Sequence, residues 1–321
     1  MLGQRRDSTT ALSSSSPTGA EITANVTLTP LYAYDRSLQH FRLGRSCPFR
    51  SRNLACSDLP QMGNSTRKRE LLFALPYPEG WETILFNNIA HYRLLDDQER
   101  TILRNDARVL VAEKSWEGCG GLTVSDEMKV TIAAQAALML LGREHDYFRR
   151  VLSILVYPSS FVVPLGDDLD QPEWQMAASG QAVEHGPVIL AWDAALAGGR
   201  DPSSGCNVVI HEFAHQLDFL IGSIDDQTLG DPALEERWRQ VMPAEYAALI
   251  RALDHGQQTL LGDDAAINER EFFAVTSEAF FTLPEELRRR HPLLYHLLAD
   301  FYALEPIAWF RRGSSGGIQP Q

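Results

Sequence analysis

The sequence predicts a helix-rich α+β domain with a small sheet. Three observations carry that prediction. Several long stretches repeat apolar residues at helical spacing, a few short β-branched runs sit beside glycine or proline, and hydrophobic residues make up 44% of 321 positions, enough for one sizeable core. Asp96 and Asp97 can cap a helix running to Ala112 that buries Ile102, Leu103 and Leu110. Ser125 opens a second, Ala- and Leu-rich helix over 126–141. Ser153–Tyr157 and Phe161–Val163 flank Pro158 and read as extended. Gly186-Pro187 introduces a strand from Val188 to Trp192, here expected to pair with substrate backbone as an added strand. A third helix spans 204–220. After a polar, acidic stretch, Glu269–Phe281 forms a further helix limited by Pro284, and His291-Pro292 starts a last one through Tyr302.

The chain divides unevenly. Residues 1–70 contain the Ser13–Thr18 run, sustain no period, and hold 10 basic against 5 acidic side chains. This composition cannot bury enough apolar surface to offset chain entropy, so 1–70 read as a dispensable disordered extension, 71–312 as the folded domain and 313–321 as a flexible tail. The remaining chain holds 19 basic against 37 acidic residues, which disfavours direct contact with a phosphate backbone. The richest apolar run, Ile132–Leu141, is broken by Gln135 and is about half the length a bilayer requires. Cys47, Cys56, Cys119 and Cys206 form no CxxC pair. Together with the absence of an export signal, this leads to the expectation of a cytoplasmic protein with reduced thiols and no membrane partner.

The chemistry is concentrated in His211-Glu212-Phe213-Ala214-His215, an HExxH pattern inside a helical period. Histidines at i and i+4 share one helix face and can share one tetrahedral Zn²⁺, and the Glu between them can act as general base on water. Val208, Val209, Ile210 and Leu217 supply the buried face such a helix needs. A catalytic zinc wants three protein ligands and an open position. Asp218 and Ile221 stand where a metzincin would carry Gly and a third His, so a glutamate on a later helix is expected instead. Glu271 and Glu278 are seven residues apart on one aromatic-backed helix face, and spacing leaves both open. Asp218, three residues past His215, could orient a ligand histidine through its second ring nitrogen.

Gly205-Cys-Asn-Val-Val-Ile-His-Glu-Phe-Ala-His-Gln-Leu-Asp218 and Glu271-Phe-Phe-Ala-Val-Thr-Ser-Glu-Ala-Phe-Phe281 resemble the Mlc titration factor A family of zinc-dependent peptidases. Leu155–Val163, Gly186–Trp192 and Phe301-Tyr302 extend the resemblance over about Leu75 to Phe310. The resemblance implies a zincin-like fold related to the catalytic domain of anthrax lethal factor. It implies one Zn²⁺ on His211, His215 and Glu278, with Glu212 as catalytic base and Glu271 in a supporting or substrate-binding place. It also implies aminopeptidase-like hydrolysis of small peptide substrates and, as a partner, a transcriptional repressor like Mlc linked to glucose uptake. One departure stands out: Asp264-Ala265-Ala266 occupies a place where the family usually has Tyr-Ala-Ala. An ionised aspartate cannot donate a hydrogen bond to an oxyanion.

Overall fold

The computed structural model describes residues 65–164, 175–183, 186–222 and 231–315. The chain runs α1 (Ser65–Ala74), α2 (Trp81–Asn88), α3 (Asp97–Glu113), β1 (Ser115–Gly118), α4 (Asp126–Leu138), β2 (Ser153–Tyr157), β3 (Phe161–Pro164), β4 (Gln175–Ala178), β5 (Gly180–Ala182) and β6 (Val188–Ala191). It continues through α5 (Trp192–Arg200), α6 (Val208–Gly222), α7 (Pro232–Asp254), α8 (Glu269–Thr282), α9 (Pro284–Arg290), α10 (Pro292–Tyr302) and α11 (Pro306–Ser315). The predicted helix-rich α+β class is what the chain adopts.

Local chemistry explains the element ends. The Asp96 side chain accepts from Glu99 N while the Glu99 side chain accepts from Asp96 N, a complete capping box that starts α3. Ser125 caps α4 through Met128 N. Asn268 caps α8, its side chain accepting from both Arg270 N and Glu271 N. These caps fix where the helices begin and, in α8, the rotational phase of the first turn.

The sheet has strand order β1-β2-β6-β5, with β1, β2 and β6 parallel and β5 antiparallel at one edge. A separate hairpin pairs β3 with β4, Phe161 opposite Ala178. All four residues of β6 are buried, as expected of an interior strand with a near-continuous apolar run. This corrects the expected role of Val188–Trp192: β6 has β2 on one side and β5 on the other, so its ladder is filled and cannot take a substrate strand. Its strand ends at Ala191, and Trp192 already begins α5.

The helices enclose one core. Phe273, Phe280 and Phe281 of α8 meet Tyr295, Phe301 and Tyr302 of α10, with the Phe280 and Tyr302 rings stacked 5.4 Å apart, while Phe272 meets Tyr246 of α7. Two boundaries differ from the sequence reading. Helix α1 begins at Ser65, inside the segment read as an extension, because Arg69 pairs with Glu113 at 2.7 Å and lies over the Tyr147 ring. Helix α11 continues to Ser315, into the segment read as a tail. The rest of the extension, 1–64, and residues 316–321 lie outside the described residues. Among the described residues no helix is long and apolar enough to cross a membrane.

Candidate metal centre

Helix α6 carries the HExxH residues, and its first turn is unusually well held. Asn207 precedes it and accepts from Ile210 N through Oδ1 at 3.0 Å. Its Nδ2 donates to Gln135 Oε1 of α4 at 2.9 Å and to Gly198 O at 3.2 Å. On the buried side of α6, Val209, Ile210, Phe213 and Ala214 are packed into the core, and Phe213 meets Phe148 with ring centroids 4.7 Å apart. The face of α6 is thereby fixed in rotation.

His211 and His215 project together toward α8. Their Nε2 atoms are 3.1 Å apart, and the Glu271 carboxylate reaches both, Oε2 at 3.1 Å from His211 Nε2 and Oε1 at 3.4 Å from His215 Nε2. Zinc bonds of 2.0–2.2 Å in a tetrahedron separate neighbouring ligand atoms by about 3.3 Å. Two imidazole nitrogens and a carboxylate oxygen at these separations fit that edge length, so the residues present suit a small divalent cation. Among the described residues, His211, His215 and Glu271 form the one group of three ionisable side chains able to hold a metal ion.

Glu278 is placed elsewhere. Its Oε1 takes the Nδ1 side of His211 at 2.7 Å, and its Oε2 accepts from Asn207 N at 2.5 Å. In the neutral ring that a metal requires, Glu278 accepting the Nδ1 proton would leave the Nε2 lone pair of His211 facing His215 and Glu271. The two glutamates thus occupy the reverse of the places implied by the resemblance: Glu271 joins the histidine nitrogens, while Glu278 orients one of them from behind. The physical reason is the antiparallel crossing of α6 and α8. Moving forward along α8 from Glu271 to Glu278 moves backward along α6, from His215 to Asn207. The orienting contact expected of Asp218 is supplied to His211 by Glu278. Asp218 pairs with Arg270, Oδ2 to Nε at 3.4 Å, beside the site.

Glu212 lies one residue round the helix, buried, and accepts a hydrogen bond from the Ala182 main-chain N–H of β5. His211, Glu212, His215, Glu271 and Glu278 are each between 0% and 4% exposed, so three carboxylates share a site closed to bulk water. The electrostatics follow. Burial, with Glu271 and Glu278 nearby, pushes the Glu212 carboxyl up to about 8, against the lowering influence of His211. Burial opposes charging His211, yet the Glu278 and Glu271 carboxylates outweigh it and raise that imidazole to about 10. Burial likewise opposes ionising Glu271, and the His211 and His215 contacts overcome it, driving its pKa well below the usual carboxylate range. Three buried carboxylates beside two imidazoles leave the site rich in negative charge, to which a divalent cation is the chemical complement.

Comparisons with known proteins identify the family of the chain. The profile of the glucose-regulated metallo-peptidase M90 family matches residues 63–303, well over half of the chain. The chain belongs to this family. It is 33% identical over 245 residues to an uncharacterised protein of Synechocystis sp., covering 75% of this chain and 89% of that one. It is 32% identical over 234 residues to Mlc titration factor A of Serratia proteamaculans, covering 68% and 85%. The Mlc titration factor A of Yersinia enterocolitica is 32% identical over 240 residues, covering 70% and 86%. M90 membership accounts for a metal-binding group on an HExxH helix.

Three further residues escaped the sequence reading. Asn207 carried a usable signal, a capping residue directly before an apolar helical run. Gln135 and Gly180 carried none: a polar residue in an apolar helix and a glycine between Ser179 and Gln181 have no partner visible at the level of spacing.

Proposed function

We propose that this chain is a zinc-dependent peptidase in which His211, His215 and Glu271 hold the metal and Glu212 is the general base. The observation that supports it most directly is the convergence of two Nε2 atoms and one carboxylate at 3.1 to 3.4 Å, with a buried glutamate alongside. Bound zinc supplies Lewis acidity, making water acidic near neutral pH and polarising a carbonyl. Glu212 accepts the proton of the attacking water and hands it to the departing amine. Glu278 keeps His211 in the tautomer whose Nε2 is a lone-pair donor. Among the described residues β5 has a strand, β6, on one side only, and the substrate backbone lies along its other edge, beside Glu212.

The substrates are short peptides, cleaved in an aminopeptidase-like manner, the activity that the family resemblance implies. The relatives named Mlc titration factor A support a second role, capture of a transcriptional repressor of the Mlc type, in a cytoplasm that keeps Cys119 and Cys206 reduced. One observation favours a purely regulatory protein with structural zinc, namely Asp264 in place of the usual tyrosine, in the 3-10 turn Asp264–Ala266. Glu212 weighs against it, since a structural site needs no base. The deciding experiment measures metal content and hydrolysis of chromogenic aminoacyl and short peptide substrates by wild type and Glu212→Gln. A peptidase gives a zinc-loaded but nearly inactive variant. Equal, chelator-sensitive activity in both proteins would remove Glu212 from the reaction, and inertness of both would leave the regulatory reading.

A further inference from the structure

Strand β5 is only three residues long, yet it touches the candidate base at two points. Ala191 N donates to Ser179 O and Val183 N donates to Pro187 O, so residues 179 and 183 spend their main-chain groups on β6 and its approach. By the alternation of an antiparallel ladder, the main-chain groups of Gly180 and Ala182 face the other way, to the free edge. Glu212 sits on that side and receives the Ala182 N–H. Gly180 lies against the same carboxylate. A Cβ there would stand 2.3 Å from Glu212 Oε1, 2.8 Å from Glu212 Cγ and 2.5 Å from Val208 Cγ2. Conformation does not explain this glycine, because it is not among the residues with positive φ. Space does.

We propose that Gly180 is a positioning residue for the general base: its missing side chain is the slot the Glu212 carboxylate occupies, and the Ala182 N–H fixes the carboxylate in it. The proposal rests on the peptidase reading for its catalytic meaning, and on contacts within this chain for its geometry. It gives β5 two tasks. The edge that would receive substrate backbone also sets the base, so the two are held in register by three consecutive residues. Any side chain at 180 drives the carboxylate out of its slot while leaving His211, His215 and Glu271 untouched.

The test is Gly180→Ala in the full-length, zinc-loaded protein, read by its crystal structure, zinc content and peptide hydrolysis. The expected result is a Glu212 carboxylate moved by about 1 Å or more, unchanged zinc, an unchanged KM, and kcat lowered about 100-fold. A carboxylate that stays in place overturns the proposal. Val208→Ala in the Gly180→Ala background removes the Val208 contact alone; the rate loss should persist, and full recovery would assign it to packing and overturn the proposal. If Gly180→Ala melts too low to crystallise, adding Glu212→Ala should restore its melting temperature by removing both clashing atoms of that side chain. Restoration by Val208→Ala but not by Glu212→Ala would overturn the proposal. A wild type that cleaves no peptide sinks the peptidase reading alone, since the carboxylate position in Gly180→Ala still decides the geometric claim.

Discussion

His211 and His145 each face a buried carboxylate, and their surroundings differ in the balance of charge. Around His211, a second imidazole and the carboxylates of Glu212, Glu271 and Glu278 converge in one buried place. Around His145, whose Nε2 is 3.5 Å from Asp106 Oδ2, anions and cations alternate. Arg69 pairs with Glu113 and lies over Tyr147, and Lys114 donates from Nζ to Phe148 O at 2.7 Å. The second region is neutralised by its own side chains, and through Phe148 against Phe213 it backs the helix that carries the first. A histidine beside a carboxylate is therefore uninformative until the surrounding charge is counted. Surplus negative charge, together with two ring nitrogens at ligand separation, marks the site built for a cation.

The comparison can be broken most sharply at Glu212. Glu212→Gln should lower kcat about 10²- to 10⁴-fold while zinc content stays that of wild type. His145→Gln should leave both unchanged, and a comparable rate loss there would mean that the two regions share the chemistry. Next in size is the contrast between the two glutamates of α8. Glu271→Ala should strip most of the metal, whereas Glu278→Ala should keep the ligands and weaken zinc affinity about 10- to 100-fold, as loss of an orienting partner does. Competition against a fluorescent chelator reads both, and the opposite ranking would return Glu278 to the ligand set.

A smaller effect tests the neutralised region. Burial lowers the Lys114 ammonium from the ordinary lysine range to about 8, so between pH 8 and 10.5 the unfolded chain binds more protons than the fold. Stability must rise with pH across that window, and the penalty is fully present below it. Urea melts of wild type against Lys114→Met at pH 7 and pH 10 should show wild type gaining on the variant at the higher pH. Parallel behaviour would mean the ammonium is solvated. The smallest effect concerns residues 1–61, whose removal should leave melting temperature and zinc content unchanged. A clear fall in melting temperature would show that this segment packs on the domain.

Much of this was legible in the sequence where a local rule was strong. Asp96 with Glu99 announces the start of α3, and the His211–His215 spacing with Val209, Ile210 and Phe213 behind it announces a buried helix with a polar face. The rest depended on packing. Helix α7, Pro232–Asp254, hides in a polar, acidic stretch because it fully buries only Leu234, Met242 and Leu249 and contains Pro243. Glu271 and Glu278 could not be told apart by a seven-residue spacing, which puts both on one face. Which one meets Nε2 of His211 depends on the direction in which α8 crosses α6, and no local pattern encodes that. For β6, the apolar run did identify a strand, but its place between β2 and β5 is a fact of topology.

Asn207 carries a kinetic consequence. The first turn of a helix is ordinarily where fraying is fastest, and a ligand at that end would let its metal go whenever the turn opened. Here the residue that starts α6 also grips the carboxylate behind His211 and is itself tied to Gln135, a residue with 0% exposure in α4. Opening that turn means breaking into the interior of the protein. Release of a metal held by His211 would be slaved to a sub-global opening event, and the lifetime of such an ion, like the amide exchange of Ile210 and His211, should follow the stability of the core rather than the mobility of a helix end.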